Sequence, residues 1–378
     1  MRITRIRTKN FRALGDVDLT LPPFSVLVGP NGSGKSSVLE LLHLFAGIGT
    51  PGNFSSSFSR WGGFDATLFY GAQDAVMSLG ITATEEDTCW DYDVQFCGER
   101  GSFYVSTERF SENRLGSLEP PILMRNDSIV TLASKKTRGT DGTVHGSELE
   151  LFQRREQLPE VEGVIAAFKR IALWQAHKFS PSDRVRAPQQ LQPTVVPAPD
   201  GGDLFSSLYA MRSERRPAYH NLIETLKRAV PELEELEFPL AGAGHVNLTW
   251  KQANYSRELY SNQLSDGTLR LLWMMTILHT APDDGMVLLD EPELSLHPQW
   301  LALLVSVLRK MSLRTTILVA TQSAELLKWL QPEELIVTDL RDNGAAFTRA
   351  VDKSDLRKWL DDFTLSELWT MGELGGRR

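Results

Sequence analysis

The stretch GPNGSGKS at residues 29–36 decides the fold. It fits G-x-x-x-x-G-K-[ST] and lies between an apolar run, Phe24, Val26, Leu27 and Val28, and a second apolar set at helical spacing, Val38, Leu39, Leu41 and Leu42. Strand, glycine-rich turn and helix in that order make a phosphate loop, whose consecutive backbone N–H groups converge on an anion at a helix N-terminus. The expected contributors are Gly29, Pro30, Asn31, Gly32, Ser33 and Gly34 through the loop itself. Lys35 is placed to reach the β- and γ-phosphates and Ser36 to ligate Mg²⁺.

Outward from the loop, residues 3–7 and 17–21 alternate polar and apolar and predict a strand pair, and residues 37–45 a helix that stops near Gly47 and Gly49. Period-two stretches at 76–82, 91–96, 102–107 and 128–132, separated by turn residues, predict antiparallel strands. Residues 149–176 have a mostly helical pattern broken near Pro159. Residues 181–202 are rich in Pro, Gln and Gly and predict a loop, and 204–226 returns to helical spacing. A hairpin is expected over 233–260. The last third alternates helix 268–280, strand 286–289, helix 299–311, strand 316–320 and helix 325–330. Short continuous apolar strands between helices imply a mainly parallel sheet covered on both faces. The resulting expectation is an α/β P-loop NTPase with a mainly parallel core sheet, an antiparallel β lobe and a helical insertion. Its parts would be an N-terminal lobe at 1–145, the helical insertion at 146–232, a C-terminal lobe at 233–350 and a helical tail at 351–378.

With 378 residues, 42% of them hydrophobic and 23% charged, the chain can bury a sizeable core. Cys89 and Cys97 are too few for a disulfide framework and lack metal-type spacing, and the start MRITRIRTKNF has no apolar signal-peptide core. A cytoplasmic protein without a membrane span is expected. The net charge of −8 requires any nucleic-acid contact to use a local basic patch. Candidates are Lys135, Lys136 and Arg138; Arg154 and Arg155; Arg184 and Arg186; and Arg212, Arg215 and Arg216. Charge runs of this size are usually solvated faces.

Further motifs complete a site. Residues 286–291 read MVLLDE, an apolar strand ending in two carboxylates where ligands bind open α/β sheets. Asp290 is expected to share Mg²⁺ with Ser36, and Glu291 to orient or deprotonate the attacking water. Residues 264–267 read LSDG before a helix, so Ser265 and Gly267 are candidate phosphate contacts, although Ser265 or Asp266 can also be a plain N-cap. Residues 316–323 read TILVATQS, placing Gln322 at a strand end as a γ-phosphate sensor and Ser323 as a helix cap.

GPNGSGKS, LSDG, LLDEPELSLHP and VATQS in this order, with Ile3, Ile6 and the run Asn10, Phe11, Arg12 at the start, resemble the ATP-binding-cassette (ABC) ATPase heads of the RecF, SMC and overcoming-lysogenisation-defect (OLD) group. The resemblance is strong over residues 1–50 and 260–325 and loose between. It implies that two copies sandwich two ATP molecules, with Lys35 and Glu291 of one copy facing Ser265 and Gly267 of the other. It also adds Ser37 to the phosphate and Mg²⁺ ligands, and assigns residues 294–297 to a loop at the dimer interface. Gln322 stands where many cassette relatives have His, which implies slow hydrolysis. Gln73 is the candidate for the glutamine expected between the lobes. His297 is either a helix-start residue or an ATP-related one.

The tail at 359–376, with Trp359, Leu360, Phe363, Leu365, Leu368 and Trp369, resembles those of short stand-alone members without the TOPRIM nuclease domain that OLD relatives often carry. Its apolar residues either pack on their own head or dock a partner. The function implied is a Mg²⁺-dependent ATPase whose head dimer clamps or senses DNA, in DNA repair or anti-phage defence, with a separately encoded nuclease or other effector as partner. The alternatives are a nucleotide-dependent scaffold with slow turnover and a transporter motor subunit. The long insert between Lys35 and Ser265 disfavours the transporter.

Overall fold

The computed structural model describes residues 1–48, 54–99, 102–114, 120–127, 129–133, 138–143, 149–153, 156–175, 179–180, 183–341, 343–352, 356–360 and 362–374. Phe24–Val28, Met286–Asp290 and Thr316–Thr321 are buried along nearly their whole length and form the middle of a six-stranded sheet. Its order is Ile171–Gln175, Met286–Asp290, Thr316–Thr321, Phe24–Val28, Leu335–Arg341 and Gly344–Arg349. All neighbours run parallel except the last pair. Strand periodicity splits the buried side chains between two cores. Val26, Val28, Val287, Leu289, Ile317 and Val319 face helices Leu204–Glu214, Asp266–Thr280 and Pro298–Ser312. Leu27, Leu288, Leu318, Ala320 and Ile336 face helix Lys35–Ile48 and the second sheet.

That second sheet is antiparallel and eight-stranded. It begins with the expected N-terminal pair, Leu14–Thr20 beside Arg2–Phe11, and continues through Val76–Glu85, Thr88–Glu99, Ser102–Arg114, Leu123–Asn126, Ile129–Ala133 and Arg138–Thr143. Glu108 is buried within it, accepting hydrogen bonds from Tyr92 Oη at 3.0 Å and from the N–H groups of Glu150 at 2.7 Å and Leu151 at 2.9 Å. Burial nevertheless pushes its carboxyl up to about 7.

The helical expectation for 149–176 is corrected. Helices Glu150–Gln153 and Val161–Lys169 are followed by the edge strand Ile171–Gln175, with Gln175 opposite Asp290. A short apolar run such as Ile171, Ala172, Leu173 and Trp174 reads alike in a buried helix or a parallel strand, and only the neighbouring strand separates them. Helix Lys35–Ile48 runs past Gly47, while Gly49 lies outside the described residues. The expected hairpin pairs Leu233–Glu237 with Thr249–Gln252. In the tail, Leu365 and Leu368 are buried and Trp359, Leu360 and Trp369 pack against the head's own core, while Phe363 stays exposed. No helix among the described residues is long and apolar enough to cross a membrane.

Candidate nucleotide site

Parallel register brings the motifs to one edge of the core sheet. Asp290 stands opposite Ala320, Ala320 opposite Leu27, and Thr321 opposite Val28, so the phosphate loop, the acidic pair and Gln322 leave the sheet side by side. The loop's glycines serve different purposes. A Cβ on Gly29 would lie 2.0 Å from Thr338 Oγ1 and 2.4 Å from its carbonyl oxygen, so only glycine fits against the neighbouring strand. Gly32 and Gly34 instead have φ of 77° and 93°, the left-handed region. Ser33 is fully buried and its hydroxyl bonds Thr338 Oγ1 at 2.6 Å, tying the loop to the same strand.

Lys35 is the first residue of the helix and is largely buried. Its ammonium donates to the carbonyls of Gly29 at 2.7 Å and Pro30 at 2.8 Å. Burial lowers its pKa while Asp290 and Glu291 hold it up. A buried ammonium held by carbonyl oxygens fits an anion arriving at the loop. Ser36 Oγ donates to Asp290 Oδ2 at 3.1 Å, placing a hydroxyl and a carboxylate where both can face one divalent cation. Burial raises the Asp290 pKa and the Ser36 bond opposes it. Mg²⁺ keeps waters and substrate phosphates around few protein oxygens, so this pair suits it.

These residues line a cavity of about 460 Å³. Asn31, Gly32, Gly34, Lys35, Ser36, Ser37, Asp290 and Glu291 line it together with Arg12, Trp61, Leu68 and Tyr70. Trp61 is held by Arg60, whose guanidinium carbon is 3.9 Å from its ring centroid, and by Arg12 at 5.6 Å. Arg12 also pairs with Glu40. Asn10 and Arg12 both have positive φ, which turns the chain so that Phe11 enters the core and Arg12 reaches the cavity. Sequence reasoning saw Arg12 only as part of a family-like start, and it missed Trp61 and Tyr70. Nothing in the surrounding residues, ATLFYGA at 66–72, marks Tyr70, which the structure leaves fully exposed.

Glu291 has φ of 49°, left-handed for a non-glycine residue. Its side chain accepts from Gln322 Nε2 at 2.9 Å. Ser265 caps helix Asp266–Thr280, its Oγ accepting from Thr268 N–H. Neither Ser265 nor Gly267 is among the residues lining the cavity. Gly267 packs on the turn after the acidic pair, where a Cβ would lie 2.8 Å from Ser295 O. His297 is a helix-start residue, its Nδ1 accepting from Gln299 N–H at 3.3 Å. Gln73 is exposed and outside the cavity lining.

The basic sets divide. Lys135, Lys136, Arg154 and Arg155 lie outside the described residues, as does the side chain of Arg138. Arg184, Arg212, Arg215 and Arg216 are exposed. Arg186 is not a surface charge. It donates to the carbonyl of Leu264 at 2.7 Å and to Asp266 Oδ1, clamping the LSDG loop.

Residues 172–328 match a family model described as "AAA domain, putative AbiEii toxin, Type IV TA system", and residues 1–78 one described as "AAA ATPase domain". The OLD nuclease of Thermus scotoductus is 31% identical over 173 residues, 43% of this chain and 29% of the relative. A DNA replication and repair protein RecF from Erwinia tasmaniensis is 54% identical over 44 residues, 11% of this chain and 12% of the relative. The matched stretches thus span less than a third of these curated relatives' own length. Among solved structures, an SMC head bound to the C-terminal winged-helix domain of ScpA superposes with a TM-score of 0.56 at 14% identity, over 92% of this chain and 98% of that one, a likeness of fold. Taken together, the two AAA matches, the OLD nuclease and RecF relatives and the SMC-head fold support an ABC-type ATPase head of the RecF, SMC and OLD group.

Proposed function

We propose that this head hydrolyses ATP with Mg²⁺ while two copies enclose two nucleotides, and that the opening and closing of the pair clamps or senses DNA. The observation that carries this reading is the incompleteness of the cavity: it has a phosphate loop, a cation-facing pair and an acid, yet the LSDG helix start of the same chain is not among its lining residues. A second copy supplies Ser265 and Gly267, whose helix N-terminus offers a positive dipole end and free N–H groups to the triphosphate. Loss of the γ-phosphate removes the bridge, so the two shapes differ in their contacts with ATP and ADP.

Within the site, Lys35 neutralises phosphate charge, and the loop N–H groups of residues 31–34, with Ser37, orient it. Ser36 and Asp290 hold the cation, which supplies charge neutralisation when bound. Glu291 orients water and accepts its proton, and Gln322 holds the Glu291 carboxylate in place. The aromatic wall of Trp61 and Tyr70 receives the base by stacking. DNA is the polymer of choice because the matched relatives include a DNA replication and repair protein and a nuclease. The exposed Arg184, Arg212, Arg215 and Arg216 are its candidate phosphate contacts, presented twice in a dimer. The RecF relatives' printed role in replication and repair supports a repair function, and phage defence with a separately encoded effector such as a TOPRIM-type nuclease is the other role proposed. The Gln322 amide on Glu291 favours a slow clock over a fast motor, which is also what a nucleotide-dependent scaffold requires.

Size-exclusion chromatography with ATP tests the pairing. Glu291→Gln accumulates as a dimer and Lys35→Ala stays monomeric. A Glu291→Gln protein that remains monomeric in ATP ends the proposal.

A further inference from the structure

Arg270 lies in the second turn of the LSDG helix, only 1% exposed, in a position where an aliphatic side chain would be the ordinary choice. Its Nη2 donates to the backbone carbonyl of Glu291 at 3.2 Å. The carboxylates of Glu293 and Glu291 counter the burial that lowers its pKa. That carbonyl also accepts the N–H of Leu294 at 3.1 Å, and the N–H of Glu291 donates to Ala320 O at 2.9 Å. The backbone of the acid is therefore held from both sides, by the Thr316–Thr321 strand and by the LSDG helix. This happens at a residue whose positive φ is unfavourable for a side chain of its kind. Gly267, packed on Ser295, adds a second contact between the same helix and the same turn.

We infer that Arg270 is a positioning residue through which the LSDG helix governs the backbone of Glu291 in its own chain. The inference rests on the paired-copy reading. In that arrangement the helix start of one chain touches the triphosphate held by its partner, while Glu291 of that chain acts on its own triphosphate. Arg270 thus joins the two composite sites through one polypeptide, and filling one site sets the acid of the other. A guanidinium suits this task because its planar fork can hold a carbonyl while its charge faces two carboxylates; a lysine ammonium on a flexible stem cannot reproduce both.

The test compares wild type with Arg270→Lys and Arg270→Met in three measurements. The first is binding of a fluorescent ATP analogue, expected to be unchanged. The second is ATPase rate against ATP concentration: wild type is expected to be sigmoidal, and both variants hyperbolic with kcat reduced about tenfold and KM little altered. The third, made without nucleotide, is amide hydrogen exchange, expected to quicken about tenfold over residues 291–296 in Arg270→Lys and not in the antiparallel lobe. Folded variants with wild-type sigmoidicity, kcat and exchange overturn the assignment of Arg270. If Arg270→Met fails to fold, the lysine variant decides. If wild type binds ATP yet never dimerises, the paired-copy reading falls first, and unchanged exchange in Arg270→Lys then removes the inference separately.

Discussion

Gln322 Nε2 lies 2.9 Å from Glu291 Oε1, so the residue read as a γ-phosphate sensor already grips the residue read as the acid. An amide in this place orients a carboxylate without exchanging a proton with it. Gln322→Ala is expected to lower kcat about 10- to 100-fold while leaving ATP affinity intact. Steady-state hydrolysis and equilibrium nucleotide binding check this. Undiminished turnover would give the bond no part in the reaction.

The two kinds of glycine in the phosphate loop should fail differently. Gly32→Ala places a methyl in open space at positive φ and should cost about 1–2 kcal/mol. Gly29→Ala drives a methyl into Thr338, including its backbone oxygen, and overpacking of this kind costs about 1–3 kcal/mol or more because the strand must move. Thermal unfolding should rank Gly29→Ala as the less stable protein.

Glu108 gives the antiparallel lobe a pH dependence whose sign is fixed. Its carboxyl is raised by burial to about 7, so the folded state holds a proton that the unfolded chain releases near the ordinary glutamate value. Stability from this group is fully present below that ordinary value. It declines as pH rises toward 7 and stays lost above, a change of roughly 3 kcal/mol at most. Between pH 5 and 8 the melting temperature of wild type should therefore fall relative to that of Glu108→Gln. A constant gap between the two across that range contradicts the assignment.

Arg186 and Arg216 separate site assembly from DNA contact. Arg186→Ala removes the clamp on Leu264 and Asp266 and should impair ATP-dependent dimer formation while leaving the salt dependence of DNA binding unchanged. Arg215→Glu combined with Arg216→Glu should leave dimer formation intact, weaken DNA binding and flatten its dependence on salt. Fluorescence anisotropy at several salt concentrations, beside sizing with ATP, reads both. DNA affinity in wild type that does not change with salt would exclude phosphate contacts.

Tyr70, fully exposed on the cavity rim, should matter to substrate binding alone. Tyr70→Ala is expected to raise KM for ATP about 2- to 10-fold, the value of one aromatic stack, with kcat unchanged.

The motif-bearing edge of the sheet was legible in the sequence because motif chemistry is local: GPNGSGKS, MVLLDE and TILVATQS each carry strand, turn and polar group together, and register then aligned them. What was hidden depends on distant partners. Ile171–Gln175 became a strand only because Met286–Asp290 offered it a parallel edge. Arg186 looked like surface charge because its acceptors, Leu264 O and Asp266, lie far along the chain. Arg270 sat in an apolar helix with nothing nearby in sequence to explain it, and its acceptor is the backbone of Glu291. Trp61 and Tyr70 sit in 3₁₀ turns and loop, which have no period to read.

The closure of Gly29 and Ser33 against Thr338 has a consequence for biosynthesis. The motif that binds phosphate leaves the ribosome 305 residues ahead of the hydroxyl that seats it. A nascent chain that has not yet reached Thr338 carries the whole phosphate-loop consensus with its loop unseated, so nucleotide cannot guide those stages of folding.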